Sequence, residues 1–309
     1  MGHKKLIKFA QNETFGCLLQ PSAEELLADG YFNLRDHSVK GHWNELMFDR
    51  PRPIVLELGC GKGEYTIDLA MRNPEFNYIG VDIKGARLWK GAKFATENSL
   101  GNVAFLRTRI EFITAFFAPG EVSEIWLTFS DPQFKSANSR LTSPVFLEKY
   151  RSFLAPGGVV HLKTDSRFLY EYSSAVVSAN SLRTLAFTTD LYGTPRDVLL
   201  QQRFPLETSC SAGPLPADAG PLPLTLPRVA RFPEGSAAAV DALYEVQTFY
   251  EKMFLKQGYK ITYLEFCIDH EGPFVSPEWD EDYWRSVEGP RLLFGHDSAE
   301  TRRQKLKSE

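Results

Sequence analysis

The chain has 309 residues, 43% of them hydrophobic and 24% charged, which suits a folded protein of one large or two small domains. Its formal net charge of −4 gives no global attraction for nucleic acid, so any RNA site has to be a local patch. No apolar run approaches the ~20 residues of a bilayer-spanning helix, the N-terminus lacks a secretory apolar core, and Cys17, Cys60, Cys210 and Cys267 form no C-x-x-C pair, so no membrane span, zinc site or disulfide framework is expected and the cytoplasm is the expected location.

Residues 1–50 precede the first strand and read as an N-terminal arm. Lys4, Lys5 and Lys8 form a small basic cluster, and Gly41 to Glu45 looks like the start of a short helix. The arm is expected either to pack over a sheet edge or to bind RNA.

The stretch Ile54 to Ala70, IVLELGCGKGEYTIDLA, is the organising feature. Ile54-Val55-Leu56 reads as a buried strand, Gly59, Gly61 and Gly63 as a tight loop, and Glu64 to about Arg72 as a helix: the first half of a βαβ unit. The glycines let the chain turn sharply and let a ligand approach the main chain. The spacing is G-x-G-x-G rather than the dinucleotide G-x-G-x-x-G, and Glu57 precedes the first glycine. A carboxylate there disfavours a phosphate and favours an ammonium group, such as that of S-adenosylmethionine. The next strand, Asn77 to Val81, ends at Asp82, nineteen residues after Gly63, where an acid can accept both ribose hydroxyls.

Strands and helices then alternate. Helices are expected near 86–98, 110–117, 143–154 and 168–180, and strands near 102–107, 124–129, 158–164 and 184–190. Seven prolines between Phe204 and Glu234 mark an insertion. A helix is expected from about Ala237 to Gln257, then a strand from Tyr259 to Ile268 that suits an antiparallel partner at the sheet edge. The expected fold is α/β: a doubly wound, mostly parallel, seven-stranded Rossmann-like sheet with one antiparallel edge strand. The expected division is the arm at 1–50, a catalytic domain at 51–268 with the insertion at about 201–238, and a C-terminal extension at 269–309.

Several segments in this order carry a resemblance. They are ELGCGKGEYTIDLA at 57–70, FSDPQFK at 129–135, RLTSPVFLEKY at 140–150, LKTD at 162–165, DLY at 190–192 and TFYE at 248–251. With them the chain resembles the bacterial tRNA (guanine-N7-)-methyltransferases. The resemblance implies methyl transfer from S-adenosylmethionine to N7 of a guanosine, at position 46 in the variable loop of tRNA, by a monomer or homodimer without metal. It also implies cofactor contacts by Glu57 and Asp82, with Asp131 beside the reacting guanine and Lys135 binding substrate. Asp165 and Thr248, Phe249, Tyr250 and Glu251 would complete the guanosine site.

Two departures stand out. Between Gln133 and Arg140, where the family is rich in Lys and Arg, only Lys135 and Arg140 are basic. The family's aspartate after the third strand is replaced by Arg107-Thr108-Arg109-Ile110. Arg109 and Ile110 would then hold the adenine through backbone and apolar contacts, while the arginine side chains read as solvated or ion-paired.

The residues also suit the chemistry. Asp131 and Asp165 follow two neighbouring strands on the ligand side of the sheet, and carboxylates accept from guanine N1–H and its amino group. Guanine N7 attacks through a lone pair and loses no proton, so no general base is required; a carboxylate can stabilise the charge that moves onto the ring. The alternatives are a methyltransferase for a small molecule or protein, a non-catalytic RNA-binding protein that kept the fold and, more distantly, an NAD-dependent oxidoreductase.

Overall fold

The computed structural model describes residues 3–27, 33–203 and 238–288. The Pro-rich insertion lies outside them. Eight strands form one sheet: β1 (Leu18–Leu19), β2 (Ile54–Leu58), β3 (Asn77–Asp82), β4 (Val103–Arg107), β5 (Val122–Thr128), β6 (Leu154–Thr164), β7 (Thr184–Thr188) and β8 (Thr262–Cys267). Their spatial order is β1-β4-β3-β2-β5-β6-β8-β7. Pairing is parallel from β1 to β6, and β8 runs antiparallel to both its neighbours. The antiparallel strand thus lies one place in from the edge, and β7 is the edge strand. The eighth strand, β1, comes from the arm.

The helices are α1 (His3–Asn12), α2 (Ala23–Leu26), α3 (Trp43–Leu46), α4 (Glu64–Arg72), α5 (Gly85–Glu97), α6 (Pro144–Arg151), α7 (Arg167–Ala179), α8 (Arg196–Arg203), α9 (Ala238–Glu245), α10 (Phe249–Lys256) and α11 (Glu281–Glu288). The helix expected over 110–117 is a 3-10 turn, Ile110–Ala115. The helix expected over 237–257 is broken into α9 and α10, because the Thr248 hydroxyl accepts the Glu251 N–H at 3.1 Å and caps a new helix. Helices α1, α2, α8 and α11 lay outside the expected elements. Among the described residues, no helix is long and apolar enough to cross a membrane.

The central strands are apolar because helices cover both faces; all five residues of β2 are buried. The first βαβ unit closes tightly on the Phe105 ring. A Cβ on Gly63, Gly80 or Gly91 would meet that ring at 2.5–2.8 Å, so the three glycines let β3, α4 and α5 approach it. The arm is part of the core rather than an appendage. Trp43 is fully buried, stacks on Phe117 at 5.3 Å and donates its indole N–H to Phe116 O at 2.8 Å.

Candidate active site

Connections from β2 run outward to β3 and β4, then cross back to β5 and β6 on the other side. The direction reverses between β2 and β5, where open α/β sheets bind ligands at the carboxyl ends of their strands. The acids singled out in the sequence sit there. Asp82 ends β3 and Glu57 lies near the end of β2, while Asp131 and Asp165 follow β5 and β6.

Gly59, Gly61 and Gly63 have φ of 81°, 60° and 73°, a left-handed run that side chains strongly disfavour. The turn is pinned from β3: Val81 O accepts from Gly59 N–H at 2.8 Å and Cys60 N–H at 3.0 Å, and Asp82 Oδ2 accepts from Gly61 N–H at 3.0 Å. Asp82 Oδ1 accepts the Lys84 N–H at 2.7 Å. A Cβ added to Gly59 or Gly61 would meet nothing within 4 Å, so that stretch of backbone faces open space.

Glu57 is buried beneath this turn. Its Oε2 accepts from Thr66 N–H at 2.8 Å and the Thr66 hydroxyl at 2.5 Å, and its Oε1 accepts from the Thr128 hydroxyl at 2.6 Å. Burial pushes its carboxyl up to about 7, and the three hydrogen bonds offset part of that rise. The carboxylate therefore ties α4 to the end of β5.

The loop that carries Asp131 is strained. Phe129 and Gln133 both adopt positive φ, 52° and 49°, although neither is glycine. The Phe129 N–H donates to Lys163 O at 2.9 Å, which extends the β5–β6 pairing to the loop. Asp131 is exposed and accepts the Gln133 N–H at 2.9 Å, closing an Asx turn that presents the carboxylate at the loop tip. Lys135 is exposed. Asp165 is buried at the β6 end, next to the Ser166 cap of α7.

The TFYE segment comes to the same place. The Phe249 N–H donates to Glu64 Oε2 at 3.0 Å, and the Lys62 ammonium lies 4.6 Å from the Phe249 ring centroid. Phe249 and Tyr250 are exposed. Glu251 is fully buried and forms an ion pair with Lys163 at 2.7 Å. Its Oε1 also accepts the Tyr192 hydroxyl at 2.7 Å. Lys163 donates further to Tyr65 Oη at 2.8 Å and Leu243 O at 2.6 Å. Burial pulls the Lys163 ammonium down to about 8, against the pull of Glu251 in the other direction. Glu251 thus anchors α10 to β6, and Thr248 caps α10. Lys163, Tyr65 and Tyr192 were not singled out in the sequence; a lysine inside a buried strand is the signal that could have found Lys163.

Arg109 pairs with Glu111 at 3.2 Å on the surface, and Ile110 opens the 3-10 turn against the core. Arg107 lies over the Phe9 ring at 5.3 Å. Arg140, the second cation of the Gln133–Arg140 segment, is fully buried between Phe168 and Tyr172, at 4.7 and 4.3 Å, with Trp279 at 5.3 Å. It pairs with Glu281 at 3.1 Å. Arg285 donates to Phe134 O at 2.7 Å, and Glu288 Oε2 accepts the Phe168 N–H at 2.9 Å. Residues 279–288 therefore strap the loop that carries Asp131 and Lys135.

Comparison with known proteins agrees with this arrangement. A family described as "Putative methyltransferase" matches residues 51–197. A tRNA (guanine-N(7)-)-methyltransferase of Bacteroides thetaiotaomicron is 39% identical over 278 residues, covering 90% of this chain and 91% of that one. One from Christiangramia forsetii is 42% identical over 271 residues, covering 87% of this chain and all of its own. The chain belongs to the tRNA (guanine-N7-)-methyltransferase family.

Proposed function

We propose that this chain transfers the methyl group of S-adenosylmethionine to N7 of guanosine 46 in the variable loop of tRNA. The observation that carries the reading is the set of acids along the carboxyl ends of β3, β2, β5 and β6, around a left-handed glycine turn open to a ligand, in a chain of this family.

The residues suit the cofactor. The open space at Gly59 and Gly61 admits a ligand against the backbone. Asp82 stands at the rim, where a carboxylate accepts ribose hydroxyls. Glu57 acts from beneath the turn: its buried negative charge favours a cation above it, and a bound ammonium draws the carboxyl toward its ionised form. Arg109 and Ile110 border the place of the adenine. When bound, S-adenosylmethionine supplies an electrophilic methyl group.

The chain's own work is then to hold the guanine. Asp131, on its strained loop, lies beside the ring and stabilises the positive charge that reaches it. No residue needs to take a proton, because N7 attacks through its lone pair. Asp165 accepts from the guanine's N–H edge, Lys135 meets the RNA backbone, and Thr248 to Tyr250 border the pocket from α10. Glu251 holds α10 in place through Lys163. Fixing N7 in line with the methyl carbon supplies much of the rate, and the base must leave its stack to reach the site.

Asp131→Ala tests the reading. Methyl transfer to tRNA should fall by ~100-fold or more while the dissociation constant for S-adenosylmethionine stays within about twofold. Near-full activity in the variant would remove Asp131 from the guanine site.

A further inference from the structure

Four cations converge on two aromatic rings where the arm meets α5. The Lys5 ammonium and the Arg107 guanidinium lie 5.8 and 5.3 Å from the Phe9 ring centroid. The Lys8 and Lys93 ammonium groups lie 4.4 and 5.4 Å from the Trp89 centroid. Two like charges on each ring repel one another, and the face of each ring offsets only part of that. Carboxylates balance them only in part. Lys93 meets Glu97 at 3.4 Å on the surface, and Arg107 donates to the neutral Gln20 amide at 3.4 Å. Among the described residues Lys5 and Lys8 have no ion-pair partner. Helix α1 has no acid in its first turn, and its nearest following acid, Glu13, is engaged by Gln20 at 3.0 Å.

The seam is rigidly built. Asn12 donates to Gly85 O at 3.0 Å, Trp89 donates to Gln11 at 2.7 Å, and a Cβ on Gly85 would meet the Phe9 ring at 3.0 Å. It also adjoins the catalytic rim. Arg107 pairs in register with Asp82, and α5 begins directly after Asp82 and its Lys84 contact. Helix α5 spans 13 residues, roughly 20 Å, leading away from that rim.

We infer that the α1–α5 seam is the surface that grips the tRNA backbone, in place of the basic stretch missing after Asp131. This rests on the reading of the chain as a tRNA methyltransferase. A chain with net charge −4 has to bind a polyanion locally, and at this seam four cations stand within 6 Å of two neighbouring rings. Arg140, the other cation of the shortened stretch, is buried under Trp279 and cannot reach a phosphate.

The test compares wild type with Lys5→Gln/Lys8→Gln/Lys93→Gln, with Lys5→Arg/Lys8→Arg/Lys93→Arg as the charge-retaining control. Removing three phosphate contacts should make the slope of log affinity for tRNA against log salt shallower by about 2–3. The KM for tRNA should rise ~10- to 100-fold at about 0.15 M salt. The rate at saturating tRNA and the affinity for S-adenosylmethionine should not change, and the arginine variant should behave as wild type. An unchanged slope and KM, with wild type forming 7-methylguanosine in tRNA, would overturn the surface and leave the function standing. A shallower slope with no 7-methylguanosine from wild type would keep the surface and overturn the function. Unchanged tRNA affinity with lost binding to anionic phospholipid vesicles would assign the seam to a membrane surface instead, a role to which the exposed Leu6 and Ile7 would contribute.

Discussion

Burial holds the Glu57 carboxyl at about 7, against an ordinary value of 4.5. Across that window the folded chain binds more protons than the unfolded one. The resulting stability is complete below about pH 4.5 and is lost as pH rises through 7, by about 3 kcal/mol. Glu57→Gln stays neutral, so its unfolding free energy should rise relative to wild type between pH 5 and 8. Parallel curves for the two proteins would contradict the assignment. Lys163 and Glu251 make the opposite case, a buried pair in which each charge needs the other. Lys163→Met should cost about 3–5 kcal/mol in denaturant unfolding, and Lys163→Met/Glu251→Leu distinctly less, because the double change leaves no lone buried charge. Equal costs would mean that the Tyr192 hydroxyl alone compensates the Glu251 charge. That Glu57 and Asp82 stand at strand ends beside the glycine loop was legible in the sequence, because each follows an apolar run. Their hydrogen bonds were not. Thr128 reaches Glu57 from 71 residues away, and only the β2–β5 pairing brings them together.

At the scale of elements, Trp279 and α11 strap the loop that carries Asp131 and Lys135. Arg285 is about half exposed and contributes little to stability by its surface ion pairs. Its hydrogen bond to Phe134 O instead fixes the backbone next to Lys135. Arg285→Ala should therefore slow methyl transfer to tRNA by roughly 3- to 10-fold, with stability within ~1 kcal/mol of wild type. Full activity would mean that the loop holds its strained shape unaided. Trp279→Ala removes a ring that packs edge-on against Phe168 and Tyr172 at 4.8 and 5.2 Å, and should cost about 3 kcal/mol in denaturant unfolding. The strap was not legible because Glu281 to Glu288 is short, acidic and has no buried residue; its partners lie more than a hundred positions earlier. The break between α9 and α10 was legible in principle. Thr248-Phe-Tyr-Glu251 has the spacing of a capping box, but Glu251 turns to Lys163 instead of back to Thr248, and the helical pattern runs on through the break.

For the molecule as a whole, the alternation of apolar strands and helices from Ile54 to Asn180 made the parallel sheet readable, since each of its central strands is buried on both faces. The two ends of the sheet were harder. β1 is two residues long and exists only because the arm lies beside β4; β8 enters between β6 and β7 after a long excursion, which local pattern cannot place. Charge shows the same division between local and global information. The total of −4 is visible in composition, whereas the convergence of four cations on Phe9 and Trp89 needs the packing of α1 on α5. The measurement that bears most directly on the account is methyl transfer from labelled S-adenosylmethionine to unmodified tRNA, followed by digestion and separation of the nucleosides. Label in 7-methylguanosine is the predicted result. Label in another nucleoside, or none while the cofactor still binds, would contradict it.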